Sequence, residues 1–124
     1  MAVELEYDSS RDLHTIILKE KFDFEGIKKI LMPIYHGATP GSTLRFLYDA
    51  RQLTGSIENH QVKEMVAWTT ENRPKVAGRT AIIAESDLIF GMARVTESYL
   101  NASEIPAEYR TFRDMGAAER WIFS

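Results

Sequence analysis

Apolar and polar residues alternate through VELEY, with Val3, Leu5 and Tyr7 set against Glu4 and Glu6, the period of a half-buried strand. The turn-rich DSSRD separates it from LHTIILKE, whose β-branched centre predicts a second strand and, with the first, an antiparallel hairpin. The period then changes. In DFEGIKKILMPIYHG, Asp23 stands as an N-cap ahead of Ile27, Ile30, Leu31 and Ile34 at helical spacing, and Pro33 kinks or ends the helix. HGATPGS is a loop rich in Gly and Pro. TLRFLYDA predicts a strand with Leu44, Phe46 and Tyr48 on one face and Leu47 on the other, which places it centrally, covered on both sides.

SIENHQVKEMVAWTTEN follows as a helix, with Val62, Met65, Val66 and Thr69 on one face and Glu58 and Glu64 toward solvent. RPKVAG breaks it, and RTAIIAE is a short buried strand. SDLIFGMARVTESYLN opens on a Ser/Asp cap and carries Leu88, Met92, Val95 and Tyr99 at helical spacing. Gly91, in mid-helix, costs about 1 kcal/mol against Ala, and close packing of that helix is the expected reason. AEYRTFRD is the last strand, and MGAAERWIF a short helix with Met115, Ala118 and Ile122 inward. Of Trp121 and Phe123, one is expected to pack and one to lie exposed. The order β-β-α-β-α-β-α-β-α predicts an α/β fold. Its sheet is open, five-stranded and mostly parallel, begins with the hairpin, and is covered by about four helices on right-handed crossovers. No linker or repeat interrupts the 124 residues, so one domain over 1–124 is expected.

Composition narrows the chemistry. There is no cysteine, which removes disulfides, thiolate nucleophiles, iron–sulfur clusters and Cys-bearing zinc sites. The net charge is −3 with acids and bases interleaved, and no basic stripe invites nucleic acid. MAVELEYDSS has neither the basic segment nor the apolar stretch of a signal peptide, and no apolar run is long enough to span a membrane, so a cytoplasmic protein is expected. His14, His36 and His60 are scattered on three elements, without ligand spacing, and no metal site is expected. GATPG lacks the lysine and spacing of a phosphate loop, and no Gly-x-Ser-x-Gly elbow occurs. Neither an enzyme activity nor a cofactor is expected.

Three signatures, YDARQLTG, SDLIFGMAR and YRTFRDMGAAERWI, together resemble the SpoIIAA-like family over essentially the whole chain. These are small bacterial proteins related to STAS domains and to the CRAL-TRIO lipid-transfer fold. The resemblance implies a non-catalytic binding or regulatory module. STAS relatives bind partner proteins at the start of a helix after a central strand, where an Asp-Ser-Ser-Gly stretch is phosphorylated. That stretch is absent from LTGSIENHQV, and Ser56 is the nearest serine. The CRAL-TRIO relationship implies an apolar or lipid-like ligand between the first helix and the sheet.

Candidate site residues follow from the carboxyl ends of the parallel strands, where ligands of open α/β sheets bind beside helix N-termini. Asp49 and Arg51 lie after the third strand, Ser86 and Asp87 after the fourth, and Arg94 on the helix below them, with Ser56 alongside. Arg51 would offer its fork to a carboxylate or phosphate and Asp49 would hold it in place. The competing structural roles are a loop tie for Asp49 and Arg51, a cap for Ser86 or Asp87, and a surface pair between Arg94 and Glu97. The first helix, apolar nearly all round with Phe22, Phe24, Ile30, Met32, Ile34 and Tyr35 in or beside it, offers core and a homodimer face, or a lid over an apolar ligand.

Overall fold

In the computed structural model, which describes residues 2–124, the strands stand in chain order across one sheet. They are β1 (Val3–Asp8), β2 (Leu13–Glu20), β3 (Leu44–Leu53), β4 (Gly78–Ile83) and β5 (Ala107–Phe112). The helices between and after them are α1 (Phe24–Gly37), α2 (Asn59–Asn72), α3 (Asp87–Asn101) and α4 (Met115–Ile122). β1 and β2 pair antiparallel, and every later neighbour pairs parallel, as the apolar periods predict.

Because each crossover is right-handed and each new strand adds to the same edge, α1, α2 and α3 fall on one face of the sheet. Their core gathers Ile27, Leu31 and Tyr35 of α1, Val62 of α2 and Ile89 of α3 over Ile16, Leu18, Leu44, Phe46 and Ala50. The opposite face has α4, whose Ala118 and Ile122 pack on Leu13, Leu47, Ala81 and Ile83. Leu47 and Phe46 therefore enter different cores from adjacent positions of the central strand. Trp121 is half-buried against Phe112, and Phe123 is exposed.

Local chemistry sets the helix ends. Asp23 accepts from Gly26 N at 3.0 Å, Ser86 from Ile89 N at 3.2 Å and Asp114 from Ala117 N at 2.9 Å. Glu58 and Gln61 form a capping box at the start of α2. Pro33 lies inside α1 on its exposed side, and the helix continues to Gly37. At the C-terminus of α4, Arg79 donates to Trp121 O at 2.6 Å and stacks on the Trp121 ring.

Three expectations are corrected. α3 does not bury Leu88, Val95 and Tyr99. It buries the neighbouring stripe of Ile89, Ala93, Thr96 and Leu100, and leaves Leu88 58%, Val95 38% and Tyr99 42% exposed. Two apolar stripes lie side by side on this helix, and the smaller residues of the buried one allow the close approach to the sheet. Leu5 and Tyr7 are exposed as well, although Val3 on the same face of β1 is buried. Gly91 faces open space, with nothing within 4 Å of an added Cβ, so packing does not require it. A Cβ on Gly78, by contrast, would collide with the Leu44 carbonyl oxygen. Gly91→Ala is thus expected to stabilise the fold by about 0.5–1 kcal/mol. Gly78→Ala should destabilise it by about 1–3 kcal/mol. Urea unfolding of both variants checks the opposite signs.

Candidate functional site

At the centre of the sheet, β3 does not end where its Asp-x-Arg pair stands. It runs on to Leu53 along β2. Asp49 is the last residue to pair with β4, opposite Ile83. On the other side Ile17 pairs with Asp49 and Lys19 with Gln52, so Leu18 alone faces Ala50 and Arg51. This is a β-bulge, which takes one residue out of the regular ladder. Asp49 Oδ1 accepts the Arg51 N–H at 3.1 Å. The Arg51 guanidinium folds back over the same carboxylate, with Nε donating to Oδ1 at 2.9 Å and Nη2 to Oδ2 at 2.8 Å. The Asp49 side chain is 7% exposed and that of Arg51 36%. Arg51 holds the Asp49 carboxyl below the usual carboxylate range by these hydrogen bonds, against the opposing effect of burial. The pair is a clamp on the bulge, and Arg51 is turned toward it rather than out toward solvent.

The neighbouring strand ends are also internally paired. Arg113 donates to Glu85 O and to Asp87 Oδ1, each at 2.9 Å, and lies over the Phe90 ring. The Glu85 charge acts on Arg51, so Asp49, Arg51, Glu85, Ser86 and Asp87 share one end of the sheet. Ser56 is exposed in the turn beyond, where Gly55 supplies the left-handed backbone at φ 77°. Arg94 stands apart. It is eight residues, about 12 Å, down α3 from Ser86, and pairs at 3.6 Å with Glu97, whose other oxygen accepts from Thr111 N. The strand order never reverses, so this edge has no switch point at which a crevice would open.

A concave space does exist beneath the first helix. An apolar cavity of about 70 Å³ lies between the sheet and all three helices on that face. The sheet contributes Leu18, Phe46, Tyr48, Thr80, Ile82 and Tyr109. The helices contribute Phe24, Ile27, Leu31 and Tyr35 from α1, Met65, Trp68 and Thr69 from α2, and Ile89, Ala93 and Thr96 from α3. Aromatic rings brace its walls. Tyr35 meets Phe46 edge-on at 6.1 Å and stacks on Trp68 at 5.9 Å, and Phe24 meets Trp68 edge-on at 5.9 Å. Phe22, Phe24, Met65 and Trp68 are only half-buried, so the α1–α2 seam is its solvent side. Burial raises the hydroxyls of Tyr35, Tyr48 and Tyr109 above the usual phenol range, which keeps them neutral donors. Among the described residues, no three His, Cys, Asp or Glu side chains gather as metal ligands, and no helix is long and apolar enough to cross a membrane.

No family model and no curated protein matches this chain. Solved structures do. A protein of the DUF3478 family from Shewanella loihica PV-4, described as having a SpoIIAA-like fold, superposes with a TM-score of 0.65 at 21% identity, over 98% of this chain and 92% of its own. An anti-sigma factor antagonist from Mycobacterium paratuberculosis superposes with a TM-score of 0.64 at 10% identity, over 98% and 93%. The fold is SpoIIAA-like.

Within this SpoIIAA-like fold, the sequence placed attention on the strand ends and passed over the polar residues of the core. Arg73 in RPKVAG reads as part of a helix break, yet it is 4% exposed. Thr80 and Tyr109 read as strand residues, and nothing in their periodicity marks them as cavity walls. The clamp generates a direct test. Arg51→Met leaves the Asp49 carboxylate buried without its counter-charge and should destabilise the fold by about 1–3 kcal/mol at pH 7, the loss moderated by the partial exposure of Arg51. The depressed Asp49 pKa means that the clamp's stability is present above the ordinary carboxylate pKa of about 4 and lost as pH falls through the folded value. Urea unfolding at pH 7 and in acid should therefore show the Arg51→Met penalty shrinking as pH falls.

Proposed function

We propose that this protein is a non-catalytic binding module whose ligand is a small apolar molecule held between α1 and the sheet. The carrying observation is the cavity itself, which meets every helix of its face and is walled by Leu, Ile, Phe and Trp side chains. Interiors are close-packed, so a shared space on this scale is a place where side chains could have met and do not. The rings along the α1–α2 seam give an apolar ligand an entry without crossing the sheet. Pro33 supports the same reading, because it removes one backbone hydrogen bond from the helix that would have to shift.

A second reading has its own observation. Leu88, Val95 and Tyr99 form an exposed apolar stripe down α3, below the cap made by Ser86 and Asp87 and beside Arg94. Together with Asp49, Arg51 and Ser56 at the strand ends, this surface suits a regulatory protein partner in the cytoplasm. The anti-sigma factor antagonist among the structural neighbours supports that direction.

The leading reading is checked with a probe that needs no prior ligand. Benzene should raise the melting temperature by roughly 4–6 °C at tenfold its Kd. Ala93→Leu, which fills the space from α3, should remove that shift while circular dichroism stays unchanged. Absence of any benzene-induced shift in the unaltered protein would count against the proposal.

A further inference from the structure

The two edges of the sheet are finished differently. At β5, side chains of α3 take up the outward backbone groups. Asn101 Nδ2 donates to Tyr109 O and Asn101 Oδ1 accepts from Tyr109 N, each at 2.9 Å. Glu97 Oε1 accepts from Thr111 N at 2.6 Å. A further strand could add there only by displacing these bonds. At β1 nothing does the same. Lys19 N donates to Ala2 O at 2.8 Å, which sets the phase of the hairpin ladder: Glu4 and Glu6 bond inward to Ile17 and Thr15. Val3, Leu5 and Tyr7 therefore direct their N–H and C=O groups away from β2, and among the described residues no group outside the hairpin bonds to them.

The side chains along this open edge have two characters. Leu5 and Tyr7 are exposed on the face that Val3 shares with the α1 core. Glu4, Glu6 and Asp8 stand on the other face. Glu4 is paired with Lys19 and Asp8 with Arg11, whereas Glu6 has no cation among the described residues. An open edge pairs with other chains unless its side chains forbid it, so the charges decide what it accepts. Two copies of β1 paired antiparallel through Val3, Leu5 and Tyr7 would set glutamates directly opposite glutamates, which is destabilising.

We infer that β1 receives an extended segment of another protein, in which apolar residues alternate with Lys or Arg. The segment adds a strand beside β1 and bonds to the backbone of Val3, Leu5 and Tyr7. Its apolar side chains lie along Leu5 and Tyr7, and its basic ones face Glu4 and Glu6. The acidic residues that admit this strand also turn away a second copy of the chain, so the edge is selective. It shares no residue with the space under α1 or with the exposed stripe of α3, and stands independently of both.

The test titrates a short capped peptide of alternating Val and Lys into the isotope-labelled protein, with a Val and Glu peptide as its control. Both peptides carry N-methyl groups along one edge, which stops them pairing with themselves. The Lys peptide should bind at least about tenfold more tightly than the Glu peptide. Its binding should shift the amide signals of Val3, Leu5 and Tyr7 and weaken as salt rises. Leu5→Pro removes one outward N–H and leaves the ladder to β2 intact, so it should abolish binding while circular dichroism stays unchanged. Should that variant fail to fold, Glu6→Lys takes its place and should remove the preference for the Lys peptide. Equal binding of the two peptides by the unaltered protein, shifts confined to α3 or β5, or no binding of either would overturn the inference. A dimer in sedimentation that Leu5→Pro dissociates would assign the edge to a second copy of the chain and overturn it as well.

Discussion

One constraint organises this molecule: the strands of the sheet stand in chain order, and right-handed crossovers between them admit only one side. Three helices must share one face, and the helix after the last strand is left to cover the other. Three helices on a twisted sheet cannot all lie parallel to the strands below them and also touch each other along their full length. The space between α1, α2, α3 and the middle strands is where that mismatch collects. The same constraint shapes the strand ends. A sheet whose order never reverses has no point at which neighbouring crossovers part, and its carboxyl edge remains a shallow rim.

That rim is closed further by its own charges. The Asp49–Arg51 clamp arises from a backbone problem, an extra residue in β3 where the strand passes from pairing on both sides to pairing with β2 alone. Asp49 meets the problem locally by accepting the N–H at the bulge, and Arg51 neutralises the carboxylate that burial would otherwise penalise. Arg113 likewise spends its donors on Glu85 and Asp87. A side chain engaged in this way meets a ligand only by releasing its present partner, so rim recognition would work against the contacts that stabilise the fold.

What the sequence made legible follows from how each feature is encoded. Strand and helix periods, the caps at Asp23 and Ser86, and the two-faced central strand are local patterns, and all are present in the structure. The apolar stripe of α3 was misplaced by one position because Leu88–Tyr99 and Ile89–Leu100 have equal claims by periodicity. Close approach to the sheet, a tertiary quantity, decides between them. The bulge was unreadable because register depends on the partner strand: YDARQL alternates as an unbroken strand would, and only its pairing with Ile17 and Lys19 reveals the extra residue. The candidate site divides the same way. Its rim residues were found from strand ends, whereas the cavity draws its walls from four strands and three helices that only the fold brings together.

The physical argument for a ligand turns on the walls of the space under α1. Leu, Ile, Phe and Trp side chains from three helices and the middle strands line it, in a class of interior that is ordinarily close-packed. Tyr35, Tyr48 and Tyr109 stay neutral among them, so the walls offer an apolar molecule burial with no charge to oppose it.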